Sequence, residues 1–467
     1  MRAVLALDQG SHASRACIFD AEGTLRAHAE VAVATHHGAA GEIEHDAGEL
    51  ADSLLRAARQ ALAQTPDLRI ETAALATQRS TVVCFDRRTR APLGPAISWQ
   101  DRRNAAWLQQ FASHADLIRA RTGLPLSPHY GAGKIRWCLD HLPAVQAAAR
   151  AGELCAAPLS AFLVTQLTGS EPLADPANAS RTLLWDSLRL DWSAELLQLF
   201  GIDGALLPSC ATSRDDFGEL RVAGTPLPLR AVTGDQSAVP FAVGPPDPGS
   251  AYINLGTGAF IQRPLRERPA DPAPMLGSVL ATLPVPIYSL EGTVNGAGSA
   301  ISWYAAQGDT AESGLWRALE DLPQHTPLPL LVNGIGGLGS PWWRAAQPTR
   351  FIGTGNALEC FAAVIDSIVL MIAINFRLLS TRSAPLTRVR VGGGISRSDW
   401  LCQRLAAALE VPVQRLPAEA TARGAAALAA PDLAAGWPTT LERCFEPQSI
   451  PGLQQRIRQL DELLAGN

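Results

Sequence analysis

Apolar positions along the chain fall into runs of two kinds. "AVLAL" (3–7) is apolar throughout, as a strand covered on both faces would be. It stops at "DQGSHASR" (8–15), and "ACIFD" (16–20) and "RAHAEVAVAT" (26–35) then supply two further strands. The period changes in "EHDAGELADSLLRAARQALA" (44–63), where Leu50, Leu54, Leu55, Ala58 and Leu62 share one helical face. Asp46 followed by Glu49 predicts a capping box at its start. A fourth strand, "TAALAT" (72–77), runs into the polar knot Gln78, Arg79, Ser80, and "TVVCFD" and "PAISWQ" flank a turn at "RRTR". From about 105 to 215 the pattern is mostly helical with Pro and Gly breaks. The strongest breaker cluster is "VGPPDPGS", near residues 242–249. A domain boundary is expected there, dividing the chain into 1–245 and 246–467.

After that boundary the opening pattern returns. "AYINLGTGAFIQR" (251–263) is again strand, glycine turn, strand. "RVRVGGGISRSDWLCQRLAAALEVPVQRL" (388–416) reads as strand, triple glycine, helix, strand, with Trp400, Leu401, Leu405, Ala408 and Leu409 on the buried helix face. The repetition suggests a duplicated α/β domain. The most hydrophobic stretch, "FAAVIDSIVLMIAINFRLL" (361–379), contains Asp366, Asn375 and Arg377. Its unbroken apolar length falls short of the ~20 residues a bilayer requires, so a buried core helix is expected.

Composition narrows the function classes. At 467 residues, two domains or three are expected, and 47% hydrophobic with 18% charged residues marks a globular chain. The net charge of -5 with scattered Lys and Arg offers no basic stripe for nucleic acid and no basic amphipathic helix for a membrane surface. Eight cysteines, none in a CxxC pair, argue against zinc and disulfides and for a reducing cytoplasm. The first strand begins at Ala3, so no signal peptide is expected.

Four turns hold the candidate chemistry: Asp8 in "LDQGS", Asp235 in "TGDQSA", Thr257 in "LGTGA" and Gly392 to Gly394 in "VGGGIS". Asp, Gly and Ser are ordinary turn residues, and the first turn alone admits that reading. Together the four supply what phosphoryl transfer requires. Glycine turns expose backbone N–H groups to phosphate oxygens, a carboxylate such as Asp8 can hold Mg²⁺ directly or through water, and one such as Asp235 can take a hydroxyl proton.

These turns, with "GEIEHD", "ATQRSTVVCFD", "AISWQDRR", "DPANASRTLLWD", "EGTVNGAGSAISW", "GGLGSPWW" and "EATARGAA", run nearly end to end in an order that resembles the FGGY family of sugar kinases, in the actin-like ATPase superfamily. Within it, the glycerol kinase branch is the most similar. The resemblance implies two actin-like (ribonuclease H-like) domains that close on ATP in the cleft between them. It implies that Asp235 is the general base and that Asp8 helps place Mg²⁺. Ser11, His12 and Arg15 would lie by the terminal phosphates, Gly256, Thr257 and Gly258 would form the second phosphate turn, and Gly393 and Gly394 would flank the adenosine. Arg79, Trp99, Asp235, Gln236 and Phe260 stand where that branch holds its polyol.

Four positions depart from the glycerol kinase pattern. Ser80 replaces a Glu, His129 a Tyr (unless Tyr130 takes that role), His12 a Thr and Ser302 a Gln. A shorter Ser leaves space and weaker hydrogen bonding, so a longer polyol or a ketose fits the pocket at least as well as glycerol. His129 is open between a pocket and a structural role, and His45 is expected to be structural. The function expected is ATP- and Mg²⁺-dependent phosphorylation of a small polyol or ketose in the cytoplasm, with a homodimer one assembly open to it. A pentulose or tetritol kinase is the alternative of the same class. A catalytically weak sugar or nucleotide sensor, motivated by His12 and Ser80, is the alternative of another class.

Overall fold

The computed structural model describes residues 1–467 apart from 39, 40, 223, 309, 310, 383, 440 and 467. In the first half the chain runs through β1 (Arg2–Gln9), β2 (Ala13–Asp20), β3 (Leu25–Ala32), α1 (Ala47–Ala63), β4 (Arg69–Thr77), α2 (Gly131–His141), β5 (Glu219–Val222), β6 (Thr225–Gly234) and the short α3 (Asp235–Ala238). The second half contains β7 (Ser250–Leu255), β8 (Ala259–Leu265), β9 (Leu276–Thr282), β10 (Pro286–Val294), α4 (Gly298–Ala305), α5 (Ala357–Ser380), β11 (Arg388–Gly392), α6 (Asp399–Leu409), β12 (Val413–Arg415), α7 (Ala420–Ala429), β13 (Arg443–Phe445) and α8 (Leu453–Ala465).

Each half is built on a twisted mixed sheet. The first has the order β5-β6-β4-β1-β2-β3 and the second β9-β10-β8-β7-β11-β12-β13. Within both lies one arrangement: three antiparallel strands (β1, β2, β3; β7, β8, β10), then two more running parallel to the first of them (β4, β6; β11, β12). The duplication expected from the strand–glycine–strand repeat is therefore present as repeated topology, and the fold is α/β with two actin-like domains.

The unbroken apolar run of β1 has a direct cause. Successive side chains point to opposite faces, and both faces are covered. Ala3, Leu5 and Leu7 pack with Leu50, Leu54 and Ala58 of α1, while Val4 and Ala6 pack with Ala422, Ala425 and Ala426 of α7. Asp46 caps α1 by accepting from the Glu49 amide at 2.9 Å. The expected reciprocal bond is replaced: the Glu49 carboxylate binds Arg56 instead, so only half the box forms.

α7 belongs to the second half of the chain yet lies on the first sheet. Its alanines allow close approach, and a methyl group at Gly424 would lie 1.9 Å from the Ala238 carbonyl oxygen. Arg423 fixes it by donating to the carbonyls of Ala242, Pro438 and Gly23. α5 is the one helix among the described residues long and apolar enough to cross a membrane, and 78% of its apolar window is buried inside the protein. Its Asp366 is fully buried and bound by Arg404 and Arg456.

Candidate active site

The parallel strands bring their C-terminal ends together, which is where open α/β sheets carry ligands. Gln9 and Gly234 both pair with Thr77, so the tips of β1, β4 and β6 set Asp8, Arg79 and Asp235 side by side. In the second sheet Asn254 pairs with Gly392, which brings the turn Gly256–Gly258 and the glycines 393 and 394 to adjacent strand ends.

Two carboxylates dominate the first set. Asp8 is 7% exposed, and burial, reinforced by Asp235, pushes its pKa up to about 7. Arg15 offers only a distant counter-charge at 4.0 Å and is itself held by Glu30 at 2.6 Å. Burial also raises Asp235, against the pull of Arg79 and Arg181. Asp235 Oδ1 accepts from the Gln236 amide at 2.7 Å.

Arg79 reaches across to the second half. Its two terminal nitrogens donate to the two oxygens of Glu291 on β10, at 3.0 and 2.9 Å. Arg181 donates to the same carboxylate, and Ser289 completes it at 3.0 Å. Burial alone would raise the Glu291 pKa. Arg181 and Arg79 overcome it and hold the carboxyl well below the usual carboxylate range. Gln236 is tied across as well: Asn254 donates to its side-chain oxygen at 3.1 Å and Gln262 to its carbonyl at 2.5 Å.

An aromatic wall stands beside these groups. Trp99 stacks on His129 (ring centroids 6.2 Å apart, 28° between planes) and meets Phe260 edge-on at 6.4 Å. Its Nε1 donates to Ser11 Oγ at 3.0 Å, Ser11 donates to Gln78 at 3.0 Å, and Gln78 donates to Gln9 at 3.1 Å. Ser11 thus links the first turn to the wall. Ser80 sits in the left-handed region (φ 67°), with its carbonyl bound by Lys134 at 2.8 Å.

In the second half the Gly256 amide donates to the Gly258 carbonyl at 2.9 Å, and Gly298 and Ser299 at the start of α4 donate back to Gly256 and Thr257. The Thr257 side chain is exposed. Gly393 has φ 92°, and a methyl group there would lie 2.4 Å from the Leu255 carbonyl oxygen, so only glycine fits.

The structure therefore gathers Asp8, Ser11, Arg79, Trp99, His129, Asp235, Gln236 and Phe260 into one connected set, with Arg15 beside Asp8. The His12 and Ser302 side chains are exposed. His45 is buried with Nδ1 on the Ala34 carbonyl at 2.9 Å. Sequence reading missed Glu291, Arg181 and Lys134. The available signal was a charged residue inside an otherwise apolar run, as in "IYSLEGTV". A cavity of about 260 Å³ lined by Gln324, His325, Arg404 and Arg456 includes none of these residues.

Two actin-like halves with carboxylates on one set of strand ends and glycine turns on the other are the frame of a phosphotransferase. Among solved structures, the fold is similar to that of Plasmodium falciparum glycerol kinase with ADP (TM-score 0.87, 22% identity, 100% of this chain and 97% of that one) and ligand-bound xylulose kinase from Lactobacillus acidophilus (TM-score 0.84, 20% identity, 100% and 97%). Among curated sequences, the glycerol kinase of Bordetella parapertussis is 36% identical over 99% of this chain and 97% of its own. That of Thermus brockianus is 35% identical over 94% and 93%. The models of the FGGY family of carbohydrate kinases match residues 3–253 (N-terminal domain) and 251–432 (C-terminal domain), and the chain belongs to this family. It is a carbohydrate kinase that transfers a phosphoryl group from ATP to an alcohol group of a small polyol or sugar.

Proposed function

We propose that Asp235 is the general base and that the acceptor is a small polyol or ketose held between Arg79, Ser80, Trp99, His129, Gln236 and Phe260. The observation that carries this reading is a half-buried carboxylate at the tip of β6, its pKa raised by desolvation, with one oxygen committed to the Gln236 amide. Its other oxygen is left for a substrate hydroxyl. The hydroxyl oxygen attacks the γ-phosphorus as its proton passes to Asp235, the bond from phosphorus to the bridging oxygen breaks, and ADP leaves. Burial raises the Asp235 pKa, Arg79 and Arg181 pull against it, and Glu291 offsets part of their pull. The 256–258 turn, with Thr257 exposed, and the exposed backbone at Gly393 and Gly394 suit phosphates and adenosine, and Ser11, His12 and Arg15 the terminal phosphates.

Asp8 fits a hard divalent cation. It is a buried carboxylate with only a distant counter-charge, and Mg²⁺ takes one or two carboxylates while keeping several waters. Among the described residues, the group of His, Cys, Asp and Glu with ligand atoms within 4.8 Å of one another is Cys17, His28 and Glu419, which excludes Asp8. Asp8 would hold Mg²⁺ as a hard oxygen ligand outside any three-residue cluster of that kind. Bound there, it neutralises charge on the phosphates. The same reading includes domains 1–245 and 246–467, a homodimer as one assembly open to the chain, and the cytoplasm, where eight free cysteines remain reduced.

ADP release screened over polyols and ketoses of three to seven carbons tests the reading, with Asp235→Asn as control. A longer acceptor is expected to exceed glycerol in kcat/KM. Nucleotide binding without turnover on any acceptor would favour a sensor instead.

A further inference from the structure

Lys134 on α2 is a buried amine, its pKa pushed down to about 7 by burial, whose hydrogen bonds run to main chain. Its Nζ donates to the carbonyls of Ser80 at 2.8 Å and His129 at 2.6 Å. These are two of the positions at which the chain leaves the glycerol kinase pattern. One side chain thus binds the main chain of both.

The His129 ring is fixed on its other side. Nδ1 lies 3.0 Å from the Trp99 carbonyl oxygen. A carbonyl can only accept, so Nδ1 carries a hydrogen. Burial holds the ring's pKa down to about 4, against the Trp99 bond, and the charges of Lys134 and Arg102 add to the lowering. The ring is neutral at pH 7, and its one hydrogen is committed to Trp99. Nε2 therefore presents a lone pair. No described residue bonds it, and it is not among the fully enclosed unpaired atoms.

We propose that His129 is the specificity-determining residue of the acceptor site and Lys134 its positioning residue: Nε2 accepts a hydrogen bond from the secondary hydroxyl that the matched ketose carries as its ketone, so the enzyme takes an alditol in preference to the ketose of the same length. This rests on the polyol-or-ketose reading above and chooses between its two classes. An alcohol can donate to Nε2, whereas a ketone oxygen would set acceptor against acceptor and leave both unpaired. Ser80 can donate or accept and does not discriminate.

The test compares kcat/KM on matched alditol–ketose pairs of three to five carbons, in which one secondary alcohol is oxidised, for wild type, His129→Leu and Lys134→Met. Wild type should prefer the alditol by about tenfold or more, the worth of one hydrogen bond. His129→Leu should bring that ratio close to one. Lys134→Met should raise KM for the alditol and lower the ratio, with kcat and the Kd of ADP changing by less than about twofold, a split that general loosening of the fold would not give. Should Lys134→Met fail to fold, nitrogen NMR of wild type labelled at histidine, assigned through His129→Leu, reads the tautomer directly, and an unprotonated Nε2 is expected. A wild-type ratio near one or favouring the ketose, a ratio unchanged in His129→Leu, or a protonated Nε2 would each overturn the proposal. Turnover on neither class would overturn the polyol-or-ketose reading, and the choice between classes with it.

Discussion

The first and second halves share one strand arrangement and differ in what stands at its strand ends. In the first, the tips of β1, β4 and β6 carry side-chain chemistry in Asp8, Arg79 and Asp235. In the second, the tips of β7 and β11 carry glycine, at 256, 258, 393 and 394, and offer main chain. The scaffold sets where the two sets meet, and in the proposed function the residues at the tips divide the labour. Activating an alcohol needs a placed carboxylate, whereas cradling phosphates needs amides that no side chain covers. The Arg79–Glu291–Arg181 cluster and α7 join the two. One carries charge across from β10, and the other lays second-half alanines on the first sheet.

The strongest way to break this comparison is to cut the joint. Glu291→Ala leaves two buried guanidinium groups without their carboxylate and should cost about 3–5 kcal/mol in urea unfolding. A cost below about 1 kcal/mol would mean that the halves are not held together there. Asp8→Asn should have the opposite sign and a size on the order of 2–4 kcal/mol at pH 8 in nucleotide-free protein. Below 3.8, the unperturbed value, the carboxyl is protonated folded or unfolded and costs nothing. Between 3.8 and about 7 the unfolded chain ionises first, so the folded state loses stability as pH rises, and the loss is complete above that range. The variant removes this cost and should melt higher at pH 8 and equally at pH 3.5, while losing turnover.

Gly424→Ala sharpens the role of α7. The added methyl meets the Ala238 main chain, which has little room to yield, and about 1–3 kcal/mol of destabilisation is expected. Thermal melts with and without ADP would separate this loss from any nucleotide effect. The smallest effect is electrostatic. Glu291→Gln keeps the shape of the joint but removes the charge that raises Asp235, so the acid limb of the pH–kcat/KM profile should move to lower pH. An unmoved limb would remove Glu291 from the field of the base.

Periodicity made much of the frame legible. The apolar run of β1, the stripe of α1, the buried face of α6 and the core helix α5 could all be read locally, because each records how much of an element is covered. The site was legible where chemistry sits in a turn, as at Asp8, Asp235 and the glycines. It was illegible where partners lie far apart in sequence. Glu291 joins Arg79 and Arg181 across 212 and 110 positions, and no spacing rule connects them. Lys134 carries no local signal in "GAGKIRW", because its burial depends on the loops that carry Ser80 and His129. Half of the capping box at Asp46 failed for a similar reason, since Arg56 competes for Glu49.

Whether the strand tips truly divide the labour is tested most directly by measuring the Kd of ADP by calorimetry beside turnover in Asp235→Asn and Gly393→Val. Asp235→Asn should keep the Kd within about twofold of wild type and lose on the order of 10²–10⁴ in kcat. Gly393→Val, verified as folded by its melt, should lose ADP binding, because a side chain at φ 92° presses on the Leu255 carbonyl. An Asp235→Asn enzyme that turns over normally, or one that loses ADP as completely as Gly393→Val, would contradict the division.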